Sequence, residues 1–69
     1  NCIGKIGEVY IPIPSAGNGA GKVNLTVQEK FSEFTAITTA GEQLKTGSFV
    51  RVVAVGPSGV LVVEPIDKN

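Results

Sequence analysis

The sequence predicts an all-β chain, a small five-stranded barrel of the oligonucleotide/oligosaccharide-binding (OB) type without the helix between strands 3 and 4. Three observations lead there. Val, Ile, Thr and Phe dominate, and Gly or Pro interrupts them at short intervals. No stretch holds helical periodicity for longer than a turn. Five short strands laid flat would leave two open edges, which closure into a barrel removes.

The first strand is expected over 4–13, with Ile6, Val9 and Ile11 apolar. Pro12 and Pro14 cannot donate to a ladder, so they end it or hold it at an edge. Gly7, in its middle, lets the strand coil between two layers, as the first strand of an OB barrel must. The run Ser15 to Gly21 reads as a flexible loop. The second strand, 22–29, alternates cleanly. Val23, Leu25 and Val27 face one way, and Asn24, Thr26 and Gln28 the other.

Glu29 and Lys30 occupy the expected hairpin turn, without the Asn-Gly pair that favours one. The third strand covers 31–38, with Phe34 and Ala36 inward. The fourth covers 48–55 and is apolar on both faces at Val50, Val52, Val53 and Val55, as suits a central or bent strand. Gly56-Pro57-Ser58-Gly59 is a turn that closes a bulged hairpin. The fifth strand covers 60–64 and stops at Pro65.

Sixty-nine residues make a single domain, spanning 1–69. A chain of this size buries only about 60% of its unfolded surface. Cys2 is its one cysteine and histidine is absent, so neither an internal disulfide nor a Cys/His zinc site reinforces it. No metal and no cofactor is expected. A start at Asn1 rather than Met suggests a piece of a longer polypeptide.

Six Lys/Arg balance six Asp/Glu. Most bases have an acid nearby in sequence: Lys5 and Glu8, Lys30 and Glu29, Lys45 and Glu42, Lys68 and Asp67. A neutral, evenly mixed chain lacks the positive patch on which nucleic-acid affinity depends. No apolar run approaches the ~20 residues that cross a bilayer.

Chemical motifs are scarce. Gly17 to Lys22 hints at a phosphate loop, but Ala16 stands where the first glycine belongs and Val23 where Ser or Thr belongs. A strand, not a helix, follows. A nucleophilic triad has no histidine to act as base, and nothing positions Ser48 against Lys45. Glu29 and Glu33 flank the hairpin and are expected to be solvated. Asn24-Leu25-Thr26 matches a glycosylation sequon inside a strand, a common chance pattern. Cys2, near the chain start, reads as a free thiol without a role. Enzyme activity is not expected.

Four aromatics bear on base stacking. Phe34 and Phe49 are assigned to the core, and Tyr10 and Phe31 are candidates for exposure. In "GEQLKTG", Gly41 and Gly47 are expected to take positive φ around Leu44, which plugs the core. Lipoyl and biotinyl carrier domains use a similar glycine spacing and present a modifiable lysine at a hairpin tip. Lys30 is the one tip candidate, and its neighbours Glu29 and Phe31 are not the usual ones.

Taken in order, "GKIGEVYIPI", "GKVNLTV" and "FTAITTAGEQLKTGSFVRVVAVGPSGVLVVEP" resemble the soluble C-terminal domain of NfeD-like membrane proteins. Gly4, Gly7, Gly21, Ala36, Gly41-Glu42, Gly47, the run Val50 to Val55 and Leu61 to Pro65 carry the resemblance, over roughly 4–66. "PIPSAGNGAG" replaces the family's usual short Arg/Leu-Pro-x-Gly link. The resemblance implies an OB barrel tethered behind transmembrane helices outside this chain, on the cytoplasmic side. It further implies a non-catalytic scaffold contact with stomatin- or flotillin-type partners in membrane quality control. The candidate contact is either an open strand edge, by β-augmentation, or the wet side of strands 2 and 3, around Asn24, Thr26, Glu33 and Thr35. The alternatives are a single-stranded nucleic-acid-binding OB domain and a lipoyl/biotinyl-like carrier barrel.

Overall fold

Valine and leucine alternating with polar residues give strands with one dry face, and five of them curl into a closed barrel. The computed structural model describes residues 2–66. The strands are β1 (Ile6–Ile11), β2 (Gly21–Val27), β3 (Lys30–Thr38), β4 (Phe49–Val55) and β5 (Leu61–Pro65). Around the barrel they run β1-β2-β3-β5-β4, and β4 returns to β1. Every neighbouring pair is antiparallel except β3 with β5, which run parallel. No helix separates β3 from β4. This is the small OB-like barrel that the composition and turn spacing predict.

The core is a single cluster. Val9, Ile13, Val23, Leu25, Ala36, Leu44, Val50, Val52, Leu61 and Val63 are all buried, with Cys2, Val27 and Phe34 packed against it. β1 serves both layers, pairing Val9 with Val23 on one side and Gly7 with Val50 on the other. Gly7 is there for space as much as for coiling. A Cβ on it would lie 2.6 Å from Leu25 Cδ2 and 2.8 Å from the Asn24 carbonyl oxygen.

β1 ends at Ile11, short of the expected Ile13. Tyr10 is an extra residue between the pairs Val9–Val23 and Ile11–Lys22. That bulge turns the chain so that Ile13 returns inward and pairs, as an isolated bridge, with Leu44. The two exchange backbone bonds of 2.9 and 2.8 Å. Leu44 thus joins the core from the β3–β4 connection. Gly47 takes the left-handed conformation (φ 93°), as expected. Gly41 does not; the turn around Leu44 needs one left-handed residue, at its end.

Three other expectations shift. The β2–β3 turn is Gln28–Glu29, at φ 52° and 64°, one residue earlier than Glu29–Lys30. Two successive left-handed residues give a primed turn whose twist matches the flanking strands. Lys30 consequently opens β3, opposite Val27, and does not sit at the tip. Phe49 is 46% exposed rather than in the core. Val50 and Val52 fill the inner face of β4, so alternation turns Phe49 outward opposite Glu8. Val53 is the second bulge, between the pairs Val52–Val63 and Ala54–Val62. Its presence explains the two-sided apolar pattern of β4.

Between β4 and β5, Pro57–Gly59 forms a tight turn in which Ser58 (φ 63°) and Gly59 (φ 76°) are both left-handed. Gly56 N–H donates to the Val60 carbonyl at 2.7 Å, which closes the hairpin.

Candidate functional site

Alternation puts the four sequence-predicted residues on one surface. Val23, Leu25 and Ala36 are buried, so Asn24, Thr26, Glu33 and Thr35 point away from the core. Their register is direct. Asn24 stands opposite Glu33, Thr26 opposite Phe31, and Thr35 opposite Lys22. Lys22 Nζ donates to Thr35 Oγ1 at 3.5 Å, a long contact that ties the third rung together.

The middle rung continues onto β1 and β4. Glu33, Asn24, Glu8 and Phe49 lie in one row across four strands. Glu8 belongs to this surface and escapes sequence reading, because β1 has no clean polar alternation to mark its outer side. Neither Glu8 nor Glu33 has an ion-pair partner among the described residues. The one ion pair there joins Arg51 to Glu64 across β4 and β5, at 4.0 Å and half exposed. Such a pair contributes at most about 1 kcal/mol. The sequence neighbours Lys5–Glu8, Lys30–Glu29 and Lys45–Glu42 therefore do not pair, and Lys68–Asp67 lies outside the described residues.

Two aromatics border the face. Phe31 is 71% exposed on the outer side of β3, and Tyr10 projects from the β1 bulge at 55%. Phe34 packs half-buried against the core.

The other motifs resolve into local structure. The glycine-rich loop is tied down: Ala16 N–H donates to the Ala40 carbonyl at 2.8 Å, and Asn18 Nδ2 to Ser15 Oγ at 2.7 Å. In "GEQLKTG", Gly47 N–H donates to the Val9 carbonyl at 2.9 Å, and the Thr46 hydroxyl to the Tyr10 carbonyl at 3.1 Å. The segment straps the β3–β4 connection to β1. An open groove of about 610 Å³ lies beside it, lined by Glu42, Lys45, Phe49 and Ile66 among others. Among the described residues no group of His, Cys, Asp or Glu is arranged to hold a metal ion.

Comparison with known proteins agrees with this barrel. No protein-family profile and no curated protein matches the sequence. Solved structures do. The soluble domain of the NfeD protein YuaF from Bacillus subtilis superposes with a TM-score of 0.76 at 27% identity, over 96% of this chain and 75% of that one. The chain's barrel is thus similar to an NfeD soluble domain.

Two further structures share the fold. The C-terminal domain of stomatin operon partner protein 1510-C from Pyrococcus horikoshii gives a TM-score of 0.75 at 24% identity, covering 97% of the NfeD-like barrel and 91% of its own chain. The soluble domain of a Corynebacterium glutamicum membrane protein implicated in regulation of membrane protease activity gives 0.73 at 18%, covering 93% and 90%.

Proposed function

We propose that this chain is a non-catalytic interaction domain of an NfeD-like membrane protein, carried on the cytoplasmic side by membrane segments outside the chain. Its work is a scaffold contact with a stomatin- or flotillin-type protein in membrane quality control. The observation that carries the reading is the outer face of β2 and β3. Asn24, Thr26, Glu33 and Thr35 are brought side by side there, bordered by an exposed Phe31. Polar, β-branched rungs around a projecting aromatic suit a protein contact, in which a few anchors carry most of the energy. The solved neighbours support the setting, since one is the soluble domain of an NfeD protein, one the soluble domain of a membrane protein, and one is named a stomatin operon partner.

The test is capture of a purified stomatin-type protein by the immobilised chain. The wild-type chain is expected to retain it, and Asn24→Arg with Thr26→Arg to lose at least about tenfold in affinity. Both positions point outward, so the fold should persist in the variant. Equal capture by both forms would remove the assigned face. No capture of any stomatin- or flotillin-type protein would remove the proposed function.

A further inference from the structure

β3 uses its two sides unequally. On one side β2 pairs with it from Lys30 through Ala36. On the other, β5 pairs only at Ala36, Ile37 and Thr38. No strand among the described residues takes Phe31 to Thr35 on that second side. The nearby β4–β5 turn closes on itself, through Gly56 to Val60 and Val60 to Pro57, and sends no backbone bond to β3. Alternate N–H and C=O groups along Phe31 to Thr35 therefore have no strand partner among the described residues, and the group that matches such a row is another extended backbone.

The side chains narrow the choice of occupant. An open edge invites pairing with its own copy, and a charge in mid-edge is a common defence. Glu33 is that charge. A two-fold antiparallel pairing centred on Glu33 sets it against its copy, and one centred on Ser32 sets it against Phe31; neither gives the carboxylate a complement. Glu8, in the same row beyond Asn24, adds a second carboxylate without an ion-pair partner among the described residues. Lys or Arg opposite Glu33 satisfies this edge, while apolar residues on the same strand cover Phe31 on the outer side and the half-buried Phe34 on the inner.

We infer that the free edge of β3, from Phe31 to Thr35, adds an extended basic segment of a partner protein as a further strand, with its Lys or Arg opposite Glu33. The inference rests on the reading of this chain as an interaction domain. It adds the mode of binding and the chemistry of the bound segment.

The probe is a synthetic peptide of alternating threonine and valine with a central lysine, used beside the same peptide with a central glutamate. A third form of the lysine peptide is N-methylated at alternate amides. Hydrogen exchange of the 69-residue chain is followed amide by amide. The lysine peptide is expected to protect alternate amides of Phe31 to Thr35 and to bind about threefold tighter than the glutamate form, the scale of one cross-strand charge pair. N-methylation on the pairing side should abolish the protection. Glu33→Lys should reverse the peptide preference, which a merely structural role for Glu33 does not predict.

Protection absent from Phe31 to Thr35, or an unchanged preference in Glu33→Lys, overturns the inference. So does protection that grows with chain concentration and no peptide, because the occupant is then a second copy. Peptide binding at the edge without capture of a stomatin-type protein would sink the proposed partner and leave the edge. Capture with an unprotected edge would do the reverse.

Discussion

The two hairpins of this barrel are built by opposite means. The β4–β5 hairpin turns on Gly56-Pro57-Ser58-Gly59, where proline presets one φ and Gly59 takes a left-handed one at 76°, with Ser58 between them carried to 63°. The β2–β3 hairpin turns on Gln28–Glu29, two residues with no special liking for the left-handed region they both occupy. Long-range pairing imposes that second turn: seven consecutive rungs, Gly21–Ala36 through Val27–Lys30, fix the register and leave two residues to bridge it. The first hairpin is specified where it bends, the second along its length and at its base.

The base of β2–β3 is accordingly where the largest damage should come. Gly21 begins β2 beneath the β1 exit, and a Cβ there would collide with the carbonyl oxygens of Ile11 and Pro12. Backbone cannot step aside as a flexible side chain can. Gly21→Ala is expected to destabilise by about 3 kcal/mol or more. For a domain of this size that lowers the melting temperature by about 15 °C. Thermal denaturation followed by circular dichroism measures it. A fall of under about 3 °C would show that β1 and β2 can separate at low cost, and that this hairpin is not anchored at its base.

In β4–β5 the bend itself should be the sensitive point. Gly59 has open space around its Cα, so Gly59→Ala meets no atom and only the backbone is strained. The expected cost is about 1 to 2 kcal/mol, the penalty for an L side chain in the left-handed region. Urea denaturation at unchanged slope would report it. A cost equal to that of Gly21→Ala would erase the distinction between the two hairpins.

This contrast also accounts for what could be read from the sequence. The β4–β5 turn is legible because Pro57 and Gly59 favour the dihedral angles they take, although nothing in the sequence marks Ser58 as left-handed. The strands were legible wherever one face is dry, as in Val23, Leu25 and Val27 against Asn24 and Thr26, and the same alternation placed the four candidate face residues together. Legibility failed where geometry is set by a distant strand. The β2–β3 turn was displaced by one residue because neither Gln28 nor Glu29 advertises it. Hydrophobicity alone places Phe49 inside, but Val50 and Val52 occupy the inner side of β4. The turn at 56–59 predicts a bulge in the β4–β5 hairpin, but its place at Val53, and the Tyr10 bulge altogether, have no signature in a single chain, since each exists only relative to its partner strand. Glu8 is illegible for a related reason: its membership of the outer row depends on cross-strand register with Asn24.

The smallest expected effect runs in the opposite direction and tests the turn directly. If register rather than turn chemistry holds the β2–β3 bend, Gln28 and Glu29 sit there at a cost that better residues would relieve. Gln28→Asn with Glu29→Gly supplies the pair that prefers two successive left-handed conformations. The double variant is expected to gain about 1 kcal/mol, roughly 5 °C in melting temperature. Its amide pattern along β2 and β3 should be unchanged, because the rungs are unaltered. A gain accompanied by shifted rungs would mean that the natural turn sets the register after all. The Asn24–Glu33 rung on the outer face would then depend on Gln28–Glu29 as well as on the core residues behind it.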